Sequence, residues 1–447
     1  MLTLAAQFQR TSTVTYSDRA DFAVDLSAVA AEPRVAQLDD PPACRPNLVM
    51  YWGQNSWGGQ HLDDPPNWEK DIDYYCQDDT VDVIIASFLI NYNLGGIPGT
   101  NFANHCNETF PNTQLHHCAS ITDGIRYCQK RGKKILLSLG GAEGRYGFPD
   151  DKSAVEFARV IHNLYLGGKS DLRPFDDVVL DGIDLDLEHG GPTGVTAFVT
   201  ELRRLSVVSN SPRRLIISAA PQCEYPDANL GRPLEEADID MVLVQFYNNW
   251  CGLMNFDNIW AWNYPVWHKL IGRMVNKNAK IYIGAPSAPA AGRGFVNLTR
   301  LTQIYRNISS TYDSVGGMML WDVSNGWNNY DDIATIDGPV ARRAGGKSLN
   351  FAQATGRWLH RQSKCPGNVS IDEAVSAGGS ATVTIPSTNT SKAGAESTSD
   401  TPGEEDRRPV SRPIRNSPPR LSRPEFDADE FISFAEFDDP HEFDSGF

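Results

Sequence analysis

The chain has 447 residues, 40% of them apolar, and a formal net charge of −16. That length accommodates a large closed barrel built as one unit, and the acidic balance excludes the basic face that phosphate recognition needs, so nucleic acid is not a partner. Nine Asp or Glu and no Lys or Arg fall between residues 425 and 447, so more than half of the excess charge belongs to that stretch and the remainder is mildly acidic.

Taken in chain order, residues 1–43 mix Ala, Asp, Ser and Pro without sustained periodicity and read as a leader or flexible arm. Residues 1–10 lack the basic start and apolar core of a secretory signal, so this N-terminus is expected to be processed or misassigned. From 44 to 366, short β-branched runs alternate with longer mixed stretches. Strands are predicted over 48–52, 81–88, 134–138, 178–186, 214–219, 240–247, 280–284 and 317–321, most of them continuous apolar runs of the kind that parallel strands covered on both faces require. Helical spacing of apolar residues appears over 157–165 and 195–205. Eight such strands with long crossovers predict an α/β fold, a (β/α)8 barrel, rather than an open doubly wound sheet. No G-x-G-x-x-G follows a strand, which argues against dinucleotide binding. Residues 367–447 are low in complexity and bury too little apolar surface to offset their ordering entropy, so a disordered tail is expected there. No apolar run approaches the roughly 20 residues needed to cross a bilayer.

The eight cysteines, Cys44, Cys76, Cys106, Cys118, Cys128, Cys223, Cys251 and Cys365, contain no CxxC pair and no tight Cys/His spacing. The pattern fits disulfides in an oxidising compartment, hence secretion, rather than zinc. Sequons beginning at Asn107, Asn297, Asn307, Asn368 and Asn389 agree with a secreted glycoprotein. Neither a cofactor nor a metal is called for, and the protein reads as a monomer.

The chemistry concentrates in Leu180-Asp181-Gly182-Ile183-Asp184-Leu185-Asp186-Leu187-Glu188-His189-Gly190. Strand parity places Asp184, Asp186 and Glu188 on one face and Ile183, Leu185 and Leu187 on the other. In a barrel the apolar row meets the helices and the acidic row faces the axis. Like charges stacked a few ångströms apart cannot all ionise, so at least one carboxyl pKa must rise, which is what a general acid acting near neutrality needs. The competing readings are a solvated edge strand and a carboxylate site for Mg²⁺ or Ca²⁺. The wholly apolar opposite row opposes the first, and the lack of a second acidic strand or His pair opposes the second.

Asp181-Gly182-x-Asp184-x-Asp186-x-Glu188 resembles the signature of glycoside hydrolase family 18, and most nearly its class III, hevamine-like plant and fungal chitinases. The resemblance extends in order through Tyr51-Trp52-Gly53-Gln54-Asn55, Ser138-Leu139-Gly140-Gly141, Ala219-Ala220-Pro221-Gln222-Cys223, Gln245-Phe246-Tyr247-Asn248-Asn249, Gly316-Gly317 and Leu320-Trp321, spanning about residues 47–322. It implies retaining, substrate-assisted endo-hydrolysis of β-1,4-linked N-acetylglucosamine polymers, chitin and chitooligosaccharides. Glu188 would be the acid, Asp186 the partner of the substrate acetamide, Asp184 a group sharing a proton with Asp186, and Tyr247 a hydroxyl orienting the acetamide. It also implies Tyr51, Gln54, Phe88, Asn101, Gly140, Gly141, Gln245, Asn248 and Trp321 as cleft residues, with Trp321 flooring the reacting sugar and His189 structural. Carried over with it are the disulfides Cys76–Cys128, Cys106–Cys118 and Cys223–Cys251. The two remaining cysteines, Cys44 and Cys365, flank the barrel and are expected to form a fourth bridge clamping its ends. The chain departs from the hevamine type in its flanking arms and in Asn248-Asn249-Trp250-Cys251. The alternatives are a catalytically inactive lectin or glycosidase inhibitor on the same barrel, or an endo-β-N-acetylglucosaminidase. The intact Asp186, Glu188 and Tyr247 set oppose the inactive forms, and the 51–55 and 245–249 segments favour the chitinase branch.

Overall fold

A computed structural model describes residues 45–92, 98–209, 213–331 and 348–363. Cys44, Cys365 and the two arms lie outside these residues. Among the described residues, eight parallel strands close into a barrel: β1 (Asn47–Trp52), β2 (Val83–Asn91), β4 (Lys134–Gly141), β5 (Gly182–Leu187), β6 (Ile216–Ala219), β7 (Met241–Gln245), β8 (Lys280–Pro286) and β9 (Val315–Trp321). Each pairs with its neighbour in that order, and β9 and β2 both pair with β1 to complete the ring. A short strand, β3 (Gly99–Thr100), adds antiparallel to the far end of β2; its two residues give no periodicity to detect in the sequence.

Helices cover the ring from outside. α1 (Ser56–Gln60), α2 (Ile72–Cys76), α3 (Ala119–Lys130), α4 (Asp151–Tyr165), α5 (Val195–Val208), α6 (Gly231–Glu236), α7 (Tyr264–Ile271), α8 (Leu298–Thr311), α9 (Val323–Asn328) and α10 (Phe351–His360) follow in order. Their starts are written in the sequence: Asp150, Asn297 and Asp322 accept the backbone N–H three residues on, and Asn350 with Gln353 forms a reciprocal capping box. Each such cap is worth about 1 kcal/mol. Alternate residues of the strands divide the core in two. Val49, Ile85, Leu136, Leu243 and Met319 fill the barrel, whereas Ile183, Leu185 and Leu187 join the helix-facing layer with Ala154, Ile161, Phe198 and Leu202.

Several strands begin later than their apolar runs, for one recurring reason. Asp82, Asp181 and Asp240 stand at the feet of β2, β5 and β7, and each accepts the backbone N–H of the preceding barrel strand: Leu48 at 2.8 Å, Ile135 at 3.0 Å and Ile217 at 2.9 Å. Each carboxylate also faces basic side chains: Arg45 and His360 for Asp82, Lys134 and Arg213 for Asp181, Arg203 and Arg214 for Asp240. Residues 178–181 therefore form a clamp leading into β5, which begins at Gly182. Gly182 has no room for a side chain, since a Cβ would stand 1.9 Å from the Ile216 carbonyl oxygen.

Three disulfides tie the connections. Cys76–Cys128 joins α2 to α3, Cys106–Cys118 closes the segment before α3, and Cys223–Cys251 links the loops that follow β6 and β7. No helix among the described residues is long and apolar enough to cross a membrane.

Candidate active site

The site is built upward along β5. Asp184 is fully buried inside the barrel. Ser138 and Ser218 are its register partners on β4 and β6. Their hydroxyls donate to its carboxyl at 2.7 and 2.6 Å, and the Tyr51 hydroxyl donates at 3.0 Å. Burial pushes the Asp184 pKa up while these three hydroxyls pull it back. Two residues on, Asp186 is 4% exposed and accepts from Gln245 Nε2 at 2.9 Å. Burial, then the charges of Glu188, Asp184 and Asp227, hold its carboxyl well above the ordinary range. Asp184 is turned to hydroxyls and Asp186 to an amide, and the Asp184 charge is among the causes that raise Asp186.

Glu188 lies one residue past the end of β5 and is half-buried at the rim. Its pKa is raised by burial and by the Asp227 charge, with the nearby Gln245 amide opposing. The segment is held by Tyr146, whose hydroxyl accepts from the N–H groups of Glu188 (3.0 Å) and His189 (3.3 Å) and donates to the Gly141 carbonyl (2.6 Å). His189 stacks on that ring at 3.9 Å. Two strands round the ring from β5, Tyr247, two residues past β7, is buried. Burial and the charges of Asp186, Glu188 and Asp184 raise its phenol far above ordinary, so it stays a proton donor.

Aromatic rings gather at the end of β9. Trp321, at the end of β9, is half-buried and packs against Tyr51 (5.4 Å between centroids) and Phe88 (5.9 Å, nearly parallel). Tyr51 itself is 1% exposed and supports Asp184 and Trp321 from below. Gly140 and Gly141 end β4 with φ of +115° and +88°, and a Cβ on Gly140 would stand 2.2 Å from the Asp186 carbonyl oxygen. Gln54 Nε2 is committed to backbone carbonyls of Gly53, Ser87 and Asn101. Asn101 is exposed, with its backbone paired to that of Phe88. Asn248 takes a left-handed conformation (φ 63°), and its side-chain oxygen accepts from the Arg293 N–H, which fixes the loop.

Four further residues contribute to the site beyond the roles the sequence suggests. Ser138 and Ser218 were visible as polar residues in apolar strands, on the same face as Asp184 once the register is known. Tyr146 and Asp227 come from loops. Asp227 is buried, and its carboxylate accepts from the N–H groups of Gln222, Asn229 and Leu230 at 2.7–2.8 Å, which fixes a negative charge beside Glu188. Among the described residues no group of three or more His, Cys, Asp or Glu side chains is arranged to hold a metal ion.

With this geometry in view, residues 47–300 match the family model described as Glycosyl hydrolases family 18. The chain belongs to that family. Among family 18 relatives, it is 46% identical over 286 residues to Chitinase 1 of Rhizopus niveus, covering 63% of this chain and 55% of that protein. It is 39% identical over 286 residues to the Endochitinase of Saccharomyces cerevisiae, covering 63% of this chain and 47% of that one. The chain thus spans about half the length of the curated relatives it matches. Of solved structures, the ICChI chitinase of Ipomoea carnea is similar at a TM-score of 0.53 and 29% identity, covering 62% of this chain and 95% of that one. The xylanase and alpha-amylase inhibitor XAIP-II of Scadoxus multiflorus is similar at 0.52 and 29%, covering 62% and 93%.

Proposed function

We propose that this family 18 member is a retaining chitinase that cleaves β-1,4-linked N-acetylglucosamine chains internally, with Glu188 as general acid and base. The observation that carries the reading is the ladder on β5: Asp184 held by three hydroxyls, Asp186 above it, and Glu188 at the rim with a raised pKa. A carboxyl that keeps its proton near neutrality can protonate a glycosidic oxygen. As the C1–O bond breaks, the substrate's acetamido oxygen bonds to C1 from the opposite face and yields an oxazolinium ion. Asp186 accepts the acetamido N–H and balances the positive charge, while the Tyr247 hydroxyl donates to the acetamido oxygen. Glu188, now a carboxylate, takes a proton from water. That water adds to C1 on the vacated face, the C1–O bond of the oxazoline ring breaks, and the β configuration is kept. Trp321 lies under the reacting sugar, and Phe88, Asn101, Gln54, Gly140 and Gly141 border the chain on one side. Gln245, bonded to Asp186 and to the Ala220 carbonyl, holds Asp186 in position beneath Glu188.

The names of the fungal relatives support chitin as the substrate. Three disulfides support an oxidising, extracellular setting for the barrel, which we assign to 44–366 with the arms 1–43 and 367–447 outside it. A second reading follows from the similarity to XAIP-II: the same barrel serving as an inhibitor without catalysis. The complete Asp186, Glu188 and Tyr247 set favours the enzyme.

The test is time-resolved NMR of the full chain with penta-N-acetylchitopentaose. We expect new reducing ends to appear first as the β anomer, and Glu188→Gln to lower kcat by about 100-fold or more. An α-anomeric product would overturn the retaining mechanism. A folded wild type that binds the oligomer without cutting it would favour the inhibitor or lectin form.

A further inference from the structure

The order of strands divides the barrel mouth. In the ring β1-β2-β4-β5-β6-β7-β8-β9, β5 and β9 stand opposite each other, so a line from Glu188 to Trp321 separates two halves. Of the cleft residues assigned above, Gln54 follows β1, Phe88 lies in β2, Asn101 pairs with it and Gly141 ends β4, all in one half; in the other half, Gln245 and Asn248 are committed to Asp186 and to the Arg293 N–H. A polymer cut in its interior must also be held in the other half, over the loops that follow β6, β7 and β8. There the structure presents Trp250. It is 52% exposed on the β7 loop, where a tryptophan of this size is ordinarily covered. Its orientation is fixed. The indole N–H donates to Glu224 at 2.8 Å, the next residue is bridged to Cys223, and the preceding Asn249 donates to Gln222. Glu224 shares its loop with Asp227, the carboxylate that raises Glu188, so Trp250 stands on the Asp227 side of the acid.

We propose that Trp250 is a stacking platform for the N-acetylglucosamine units on the leaving-group side of the cut, a binding position that completes the cleft; this rests on the hydrolase reading above. A pyranose ring offers an apolar C–H face, and an indole held by its polar edge with its surface open is suited to cover it. The disulfide and the Glu224 bond set the platform before substrate arrives, so stacking costs little ordering entropy.

The experiment compares kcat/KM of the full chain on hexa-N-acetylchitohexaose, which reaches both halves, with that on a nitrophenyl diacetylchitobioside, which carries sugars on one side of the scissile bond only. For Trp250→Ala the ratio of the two should fall roughly 10-fold, cleavage of the hexamer should shift toward different bonds, and Trp250→Tyr should restore most of the ratio. Trp260→Ala removes an 86% exposed indole from the same loop and serves as the control. An unchanged ratio for Trp250→Ala, or an equal fall for Trp260→Ala, would overturn the assignment. Wild type inert on both substrates would instead sink the hydrolase reading, and the platform with it.

Discussion

Asp227 shows how much of the chemistry depends on a residue that touches no other site carboxylate by hydrogen bond. Its charge is among the causes that raise both Asp186 and Glu188. In the general-acid role proposed above, Glu188 must be protonated, so raising its pKa would extend activity toward higher pH, with activity lost as pH rises through the folded value. Asp227→Asn removes the negative neighbour and lets the Glu188 pKa fall toward the ordinary carboxylate range. The alkaline limb of the kcat/KM profile should therefore move to lower pH, while the acidic side of the profile keeps its activity. A limb that stays in place would show that burial alone sets the acid. The β5 acids were legible in the sequence because a strand's two-residue period sorts them from Ile183, Leu185 and Leu187. Asp227 and Tyr146 were not, because loops carry no period that aims a side chain, and their roles arise from contacts with residues 39 and 42 positions away.

At the scale of elements, β4 and β5 approach so closely that Gly140 has no room for a side chain. An added Cβ meets the Asp186 carbonyl oxygen at 2.2 Å, and φ of +115° is unfavourable for any L side chain. Gly140→Ala should cost about 2 kcal/mol or more in stability. It should also lower kcat by on the order of 100-fold, since a shift of about 1 Å in catalytic geometry has that effect. Gly132, in the turn before β4, has φ of +78° but open space around its missing Cβ. Gly132→Ala should lose about 1 kcal/mol at wild-type kcat. Thermal unfolding and steady-state kinetics on both variants separate backbone strain from displacement of Asp186; equal kcat values would refute the displacement. The sequence revealed the eight barrel strands because both their faces are covered, and it misplaced their ends because the limits are set by side chains. Asp181 and Asp240 turn their side chains to the neighbouring strand while their backbones already bond to it, and the first register pairs, at Gly182 and Met241, follow directly. The antiparallel β3 depends on main-chain pairing with β2, to which its side chains give no clue.

Across the whole molecule, the two ends of the barrel are specialised. The mouth holds buried carboxyls with raised pKa values, an arrangement that stability alone would not favour. The opposite end holds the three aspartate clamps, in which every carboxylate meets a backbone N–H and a cation. Asp82 is the most enclosed of them, 3% exposed, and receives Arg45 at 2.6 Å and His360 at 2.7 Å. Asp82→Ala leaves the Leu48 N–H and two cationic or polar side chains without their acceptor, and should destabilise the fold by on the order of 2 kcal/mol. Because the clamp is remote from the mouth, kcat should hold at temperatures where the variant is folded. Urea unfolding with parallel rate measurements checks both halves of this expectation, and a matching loss of kcat in folded protein would contradict the division of labour.

The same clamp has a topological consequence. Arg45 comes from the segment entering β1 and His360 from the last turn of α10, and both reach one carboxylate at the foot of β2. In backbone terms, the last described segment of the barrel returns to its first, Arg45 and His360 meeting on Asp82. A short splice from 360 to 45, with a cut made in a surface connection behind the barrel, would leave every strand with its two neighbours and the mouth with all its side chains. The barrel can thus be read as a cyclic permutable unit, in which the order of the genetic message and the order of the ring are independent.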